Sequence, residues 1–282
     1  MKLFRSLKIC IVVVFLCSPL FSLAQYKFEI QPFFSYFKDL RRWEISGNYM
    51  LTQGTFNGVI PLYGLNNRYL TDSTLKRSVN AEPGFGGSIG VSVPFAALGH
   101  ISVWAFTIQG MFNQYKWKDL NIANNSDGTP KIPTTRLNAT SSQLSIPFGI
   151  DYKIGCDAFG TKRLKFCAAF GGGFMPQLTV TKLDSVVTSI GPEANIGFTP
   201  YVKAEVGMFM GWTVKLRAMY TMGNVELMNS GDAINPYSDG PFKLTTNSHA
   251  VFSLILMPFS HRYRETSWYN DHDSYNWNEN LN

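Results

Sequence analysis

Beyond its first 25 residues this sequence has no long apolar run, so it lacks a transmembrane helix. Charge is scarce as well: only 16% of the 282 residues are Asp, Glu, Lys or Arg, against 15% aromatics. The mean hydropathy is nevertheless −0.04, far below that of a helical membrane protein. Apolar residues alternating with polar ones produce such a value. The formal net charge of +6 includes Lys2, Arg5 and Lys8 of the opening segment, which holds no acid. The remainder is only weakly basic and carries no basic patch or reader motif, which excludes nucleic acid as a partner.

Cysteine is also sparse. Cys10 and Cys17 fall in the opening segment, which leaves Cys156 and Cys167 on either side of a short turn. Cys17 follows Leu16, where lipid attachment requires a small residue. A disulfide between Cys156 and Cys167 is chemically allowed in an oxidising compartment. Strand alternation, however, sets the two on opposite faces, which disfavours a bridge.

What the sequence does contain is an export signal and alternating strands. Lys2, Arg5 and Lys8 precede an apolar run from Ile9 to Phe21 and then Ser22-Leu23-Ala24, a secretory leader with a small-x-small cleavage site. Eight segments alternate with period two. They are Arg42 to Leu51, Gly84 to Phe95, Ile101 to Trp117, Thr135 to Ile154, Leu164 to Val180, Ile196 to Phe209, Trp212 to Gly223 and Lys243 to Phe259. In the second, Phe85, Ile89, Val91, Val93 and Phe95 oppose Gly86, Ser88, Gly90 and Ser92. In the seventh, Trp212, Val214, Leu216, Ala218 and Tyr220 oppose Thr213, Lys215, Arg217 and Thr221. The last strand sets Val251, Ile255, Met257 and Phe259 on one alternating face.

The connections alternate long and short. Long ones run from Thr52 to Pro83, Lys118 to Thr134, Thr181 to Asn195 and Asn224 to Phe242. Short ones run from Ala96 to His100, Gly155 to Arg163 and Met210 to Gly211. Such sorting characterises an outer-membrane barrel. The sequence therefore predicts an all-β fold, an eight-stranded antiparallel transmembrane β-barrel with short periplasmic turns and long extracellular loops. Its parts are a signal peptide (1–24), an N-terminal periplasmic segment (25–41), the barrel (42–259) and a polar C-terminal tail (260–282). The location implied is the outer membrane of a Gram-negative bacterium, with membrane lipid as the surrounding partner; a soluble periplasmic β-protein is the alternative.

Three strand motifs carry a family resemblance. Gln143-Leu144-Ser145-Ile146-Pro147-Phe148-Gly149-Ile150-Asp151-Tyr152-Lys153 resembles an "L-x-I-P-[apolar]-x-x-x-Y" strand, and Lys165 to Phe174 a following strand with a glycine run. Leu216 to Gly223 is similar to an "lR-x-x-Y-x-x-G" pattern. Together, over roughly Trp43 to Phe259, these resemble the small outer-membrane β-barrel family of Bacteroidota (PorT-like). That resemblance implies the eight-stranded barrel, and roles among surface and transport-accessory proteins. It specifies no activity.

Candidate functional residues cluster on the inward faces. Asp151 and Lys153 are expected from the fourth strand, Lys165 from the fifth, Lys203 and Glu205 from the sixth, and Lys215 and Arg217 from the seventh. The tight turn near Met210 should set Glu205 beside Lys215 and Lys203 near Arg217. An eight-strand barrel has room only for side chains, and buried charge needs partners, so these residues form a lumen ionic network. The other reading is a polar conduit. A lipid hydrolase would need Ser248 or Ser253, His249 and an orienting acid. Ser248 and His249 are adjacent and point apart, and no acid has a suitable spacing, so the expectation is no catalytic residue. His272 between Asp271 and Asp273 is a poor metal site, and no cofactor or metal is called for. Trp104, Trp117, Trp212, Tyr201 and Tyr220 are assigned to interfacial girdles in preference to sugar platforms. Asp72-Ser73-Thr74 and Asp184-Ser185-Val186 match a short O-glycosylation pattern. The tail, with Trp268, Tyr269, Tyr275 and Trp277, suits docking to a periplasmic or envelope protein partner, or simple disorder.

Overall fold

The computed structural model describes residues 40–63, 69–98, 101–120, 123–124, 130–131, 137–160, 164–183, 191–229 and 242–262. The leader, most of the 25–41 segment, the tail beyond residue 262, His100, His272 and Asp184-Ser185-Val186 lie outside the described residues.

Period-two sequences supply β-strands that hydrogen-bond into a closed antiparallel barrel of eight staves. In chain order the strands are β1 (Trp43–Tyr63), β2 (Tyr69–Asn80), β3 (Gly84–Leu98), β4 (Ser102–Trp117), β5 (Ala123–Asn124), β6 (Pro130–Lys131), β7 (Ala139–Ser145), β8 (Phe148–Gly155), β9 (Phe166–Leu183), β10 (Glu193–Phe209), β11 (Thr213–Asn229) and β12 (Phe242–Met257). Two staves are broken. β2 and β3 both run antiparallel to β1, with Gln53 opposite Asn80 and Met50 opposite Gly84, so they form one stave interrupted at 81–83. β7 and β8 form another, interrupted at Ile146 and Pro147, because proline cannot donate to the ladder. β5 and β6 make a separate small hairpin. Closure comes from β1 against β12, with Ile45 opposite Leu256. Closing the sheet removes its edges except along β2, whose described pairing is with β1 alone.

The connection expected from Thr52 to Pro83 is mostly strand. β1 continues to Tyr63 and β2 returns from Tyr69. Thr52 to Pro83 lacks a continuous apolar face, so its alternation gave no strand signal. Of the other connections, the short links at 99–101 and 210–212 and the long links at 118–138 and 230–241 keep the expected sorting, whereas the β8–β9 link (156–165) is no shorter than the β9–β10 link (184–192), because β9 runs on to Leu183 and β10 starts at Glu193.

Each stave presents one face outward and one inward. Ile45, Ile89, Phe112, Ile150, Phe170, Val206, Leu216 and Leu254 are exposed on the outer face, a continuous apolar surface. The closing strand keeps Val251, Ile255 and Met257 on one alternating face. Val251, Ile255 and Met257 are buried inside the barrel, while Phe252, Leu254 and Leu256 face outward. Both faces of that strand are apolar, and the register with β1 and β11 decides which one turns in. The strand ends at Met257, and the turn after it is latched when Thr213 N–H donates to Ser260 Oγ (2.6 Å) and Ser260 Oγ–H donates to the Met257 carbonyl (2.7 Å).

Within the lumen, one face must leave room for the ion pairs. A Cβ on Gly171 would lie 2.1 Å from Asp151 Oδ1 and 2.5 Å from the Ile150 carbonyl. Gly171→Ala should therefore destabilise the barrel by about 1–3 kcal/mol, the usual range for overpacking. Urea unfolding of the refolded barrel measures it, and an unchanged midpoint would mean that β8 and β9 can separate at no cost.

Candidate functional site

The lumen is filled in layers. Toward the long-loop end lies an apolar and aromatic layer. It includes Met50, Phe56, Met111, Tyr115, Trp117, Met175, Tyr201, Met219, Leu244 and Val251. Within it Trp117 Nε1–H donates to Ser141 Oγ at 3.1 Å, and Ser141 bonds Thr181 at 2.9 Å. Trp117 and Tyr201 are thus lumen residues, which corrects their assignment to an interfacial girdle. The exposed Trp212 and Tyr220 do lie outside, and Trp104 pairs with Tyr152 at 5.2 Å between ring centroids.

Toward the short-turn end lies an ionic layer. β1 contributes Glu44, β8 contributes Asp151 and Lys153, and β10 contributes Lys203 and Glu205. β11 adds Lys215 and Arg217, while Asp157 comes from α1 (Cys156–Phe159), the single helical turn after β8. All eight side chains are buried. Glu205 sits at the junction: its carboxylate meets Arg217 Nε at 2.7 Å, Lys215 Nζ at 3.0 Å and Lys203 Nζ at 3.6 Å. Glu44 receives Lys215 at 2.6 Å, Lys153 at 3.5 Å and Arg217 through NH2. Asp157 pairs with Lys153 and with Lys215, each at 2.9 Å. Asp151 pairs with Lys203 at 2.8 Å. Arg217 NH1 also donates to Gln109 Oε1 at 2.9 Å, and Lys203 Nζ to Thr107 Oγ1 at 3.2 Å.

Four carboxylates and four cations therefore form one connected, neutral network that crosses the lumen. The balance explains how charge survives there, because an unpaired buried ion costs several kcal/mol. It also argues against a metal centre. Glu44, Asp157 and Glu205 bring carboxylate oxygens together, within 4.8 Å of one another. Each is already met by lysine or arginine, so a divalent cation would have to displace two or more of them.

The geometry brings Glu205 beside Lys215. Arg217 lies directly opposite Glu205 in the β10–β11 ladder, and Arg217 and Lys203 both meet its Oε1, while Lys203 itself lies opposite Met219. Lys165 is excluded from the network. It is exposed, with Nζ 5.5 Å from the Phe209 ring centroid, because β9 begins at Phe166 and Lys165 precedes its inward alternation. Glu44 and Asp157 belong to the network although sequence reasoning omitted them. Glu44 had a signal: it alternates with Ser46 and Asn48 on the polar face of the first strand. Asp157 had none, since it lies in the expected turn.

His249 is buried in the lumen. Its Nδ1 is 3.0 Å from Thr52 Oγ1, and its ring lies against Tyr115. Its described side-chain partners include no carboxylate.

No family model matches this chain, and no curated protein matches it. Among solved structures it is similar to the outer membrane protein OprG from Pseudomonas aeruginosa, at 12% identity over 74% of this chain and 95% of that one, with a TM-score of 0.41. It is similar also to the outer membrane protease OmpT from Escherichia coli, at 7% identity over 76% of this chain and 96% of that one, with a TM-score of 0.38. Neisserial surface protein A (NspA) matches at 10% identity, covering 74% and 95%, with a TM-score of 0.31. Likeness at these values carries no argument about activity, and the barrel rests on its own strand pairing.

Proposed function

We propose that this chain is a non-enzymatic outer-membrane β-barrel with a closed lumen and a structural, adhesive or envelope-accessory role exercised through its long-loop end. The observation that carries this reading is the filled lumen. A neutral ionic layer and an apolar layer occupy a barrel whose outer face is apolar, the inverse of a soluble protein. Such an exterior suits surrounding hydrocarbon, and an interior filled by described side chains supports a closed lumen. The leader read from Met1 to Ala24 supports export, and the three strand motifs support membership in the small barrel family of Bacteroidota. The absence of catalysis is supported by His249, which pairs with Thr52 and packs on Tyr115 instead of meeting an acid.

The test is conductance of the purified barrel in planar bilayers, after flotation with liposomes shows that it inserts. The expected trace stays at the lipid baseline. Reproducible conductance steps would sink the closed-lumen reading in favour of a narrow solute channel or a secretion-system barrel component.

A further inference from the structure

Cys156 and Cys167 do not sit on opposite faces of the barrel wall. β8 ends at Gly155, whose φ of +94° is rarely adopted by an L side chain. A Cβ there would also lie 2.0 Å from the Phe166 carbonyl. The chain therefore leaves strand geometry at Gly155, and α1 resets the direction of the next side chain. Gly155 is opposite Cys167 in the β8–β9 ladder, so Cys156 starts the turn beside it. Both cysteines are free thiols, 0% and 7% exposed, packed in one cluster with Phe209 and Met257 and covered by Leu164.

We propose that Cys156 and Cys167 form an intramolecular disulfide, installed by a disulfide-bearing oxidant before the barrel closes over them. One thiolate attacks the oxidant's S–S bond and releases one thiol. The second cysteine then displaces the other thiol from the mixed disulfide. The two cysteines lose two electrons and two protons in total, and one oxidant disulfide becomes two thiols. The bridge ties β9 to α1, the turn that holds Asp157 between Lys153 and Lys215. Its role is to fix Asp157, which among the described network acids comes from outside the strands. No other described group contests the pairing, because these are the two cysteines within the barrel.

The experiment unfolds the full chain, refolds it into detergent micelles with reduced and oxidised glutathione, confirms the barrel by heat-modifiability, and then traps free thiols with a maleimide in urea. Trypsin should release the peptide Ile154–Lys162 joined to Phe166–Lys182, separable by reductant. Cys156→Ser, refolded alongside, should yield no joined species. Recovery of the two wild-type peptides apart, each carrying maleimide or glutathione, from a heat-modifiable barrel would overturn the proposal. That readout is independent of membrane insertion and conductance, so its failure leaves the proposed function standing.

Discussion

Glu205→Ala is expected to lower the stability of the folded barrel by about 3–5 kcal/mol, the cost of breaking a buried ionic group by removing one partner. The large effect follows from its position. The Glu205 carboxylate is shared by Arg217, Lys215 and Lys203, and all four side chains are buried. Without it the layer holds four cations and three acids, and the excess charge is buried away from bulk solvent. The exposed pair of Lys118 and Glu82 supplies the contrast. Glu82→Ala should cost at most about 1 kcal/mol, as surface ion pairs do. Urea unfolding in lipid vesicles, followed by tryptophan fluorescence, measures both. Equal costs would mean that water reaches the ionic layer, and the lumen would then be open. A simultaneous replacement of Glu205 and Arg217 by methionine should recover part of the loss, because removing both charges leaves less uncompensated.

The second large effect is expected on the outer face. Leu216 is 60% exposed on β11, opposite Val206 of β10 and Leu254 of β12. Leu216→Arg should destabilise the barrel in vesicles by about 2–4 kcal/mol if the site lies at the bilayer midplane, less toward either interface. The physical reason is the loss of solvation when guanidinium enters hydrocarbon. The same substitution on a soluble β-protein would be nearly neutral, since a surface Leu costs little to replace with a charge. Refolding into vesicles and comparing urea midpoints decides the matter. A neutral outcome would mean that this face meets water, which would revive a soluble β-protein.

Much of the fold was legible because barrel staves announce themselves locally. The outer face of β11 is Val214, Leu216, Ala218 and Tyr220, and its inner face includes Thr213, Lys215 and Arg217, so period two alone placed both. Failure came where that contrast fades. The segment after Leu51 lacks a continuous apolar face, so its pattern reads as loop although it forms strand. β12 carries apolar residues on both faces, and alternation could not choose between them. At Gly155 one positive φ ended the alternation and brought two cysteines together that strand geometry would have parted.

The ionic layer divides in the same way. Asp151, Lys153, Lys203, Glu205, Lys215 and Arg217 could be assigned to the lumen from their own strands, because the direction of a strand side chain is a local property. Their partners could not. Glu44 meets Arg217 across a sequence separation of 173 residues, and that contact exists only because β1 closes on β12 and β12 pairs β11 in a particular register. The sequence by itself thus determined which residues share a face, and which face turns in where one side is polar and the other apolar, through backbone pleating and the scarcity of charge. Only the tertiary structure decided which acid meets which base, since pairing depends on barrel closure and register, and those are set by the whole ring of strands at once.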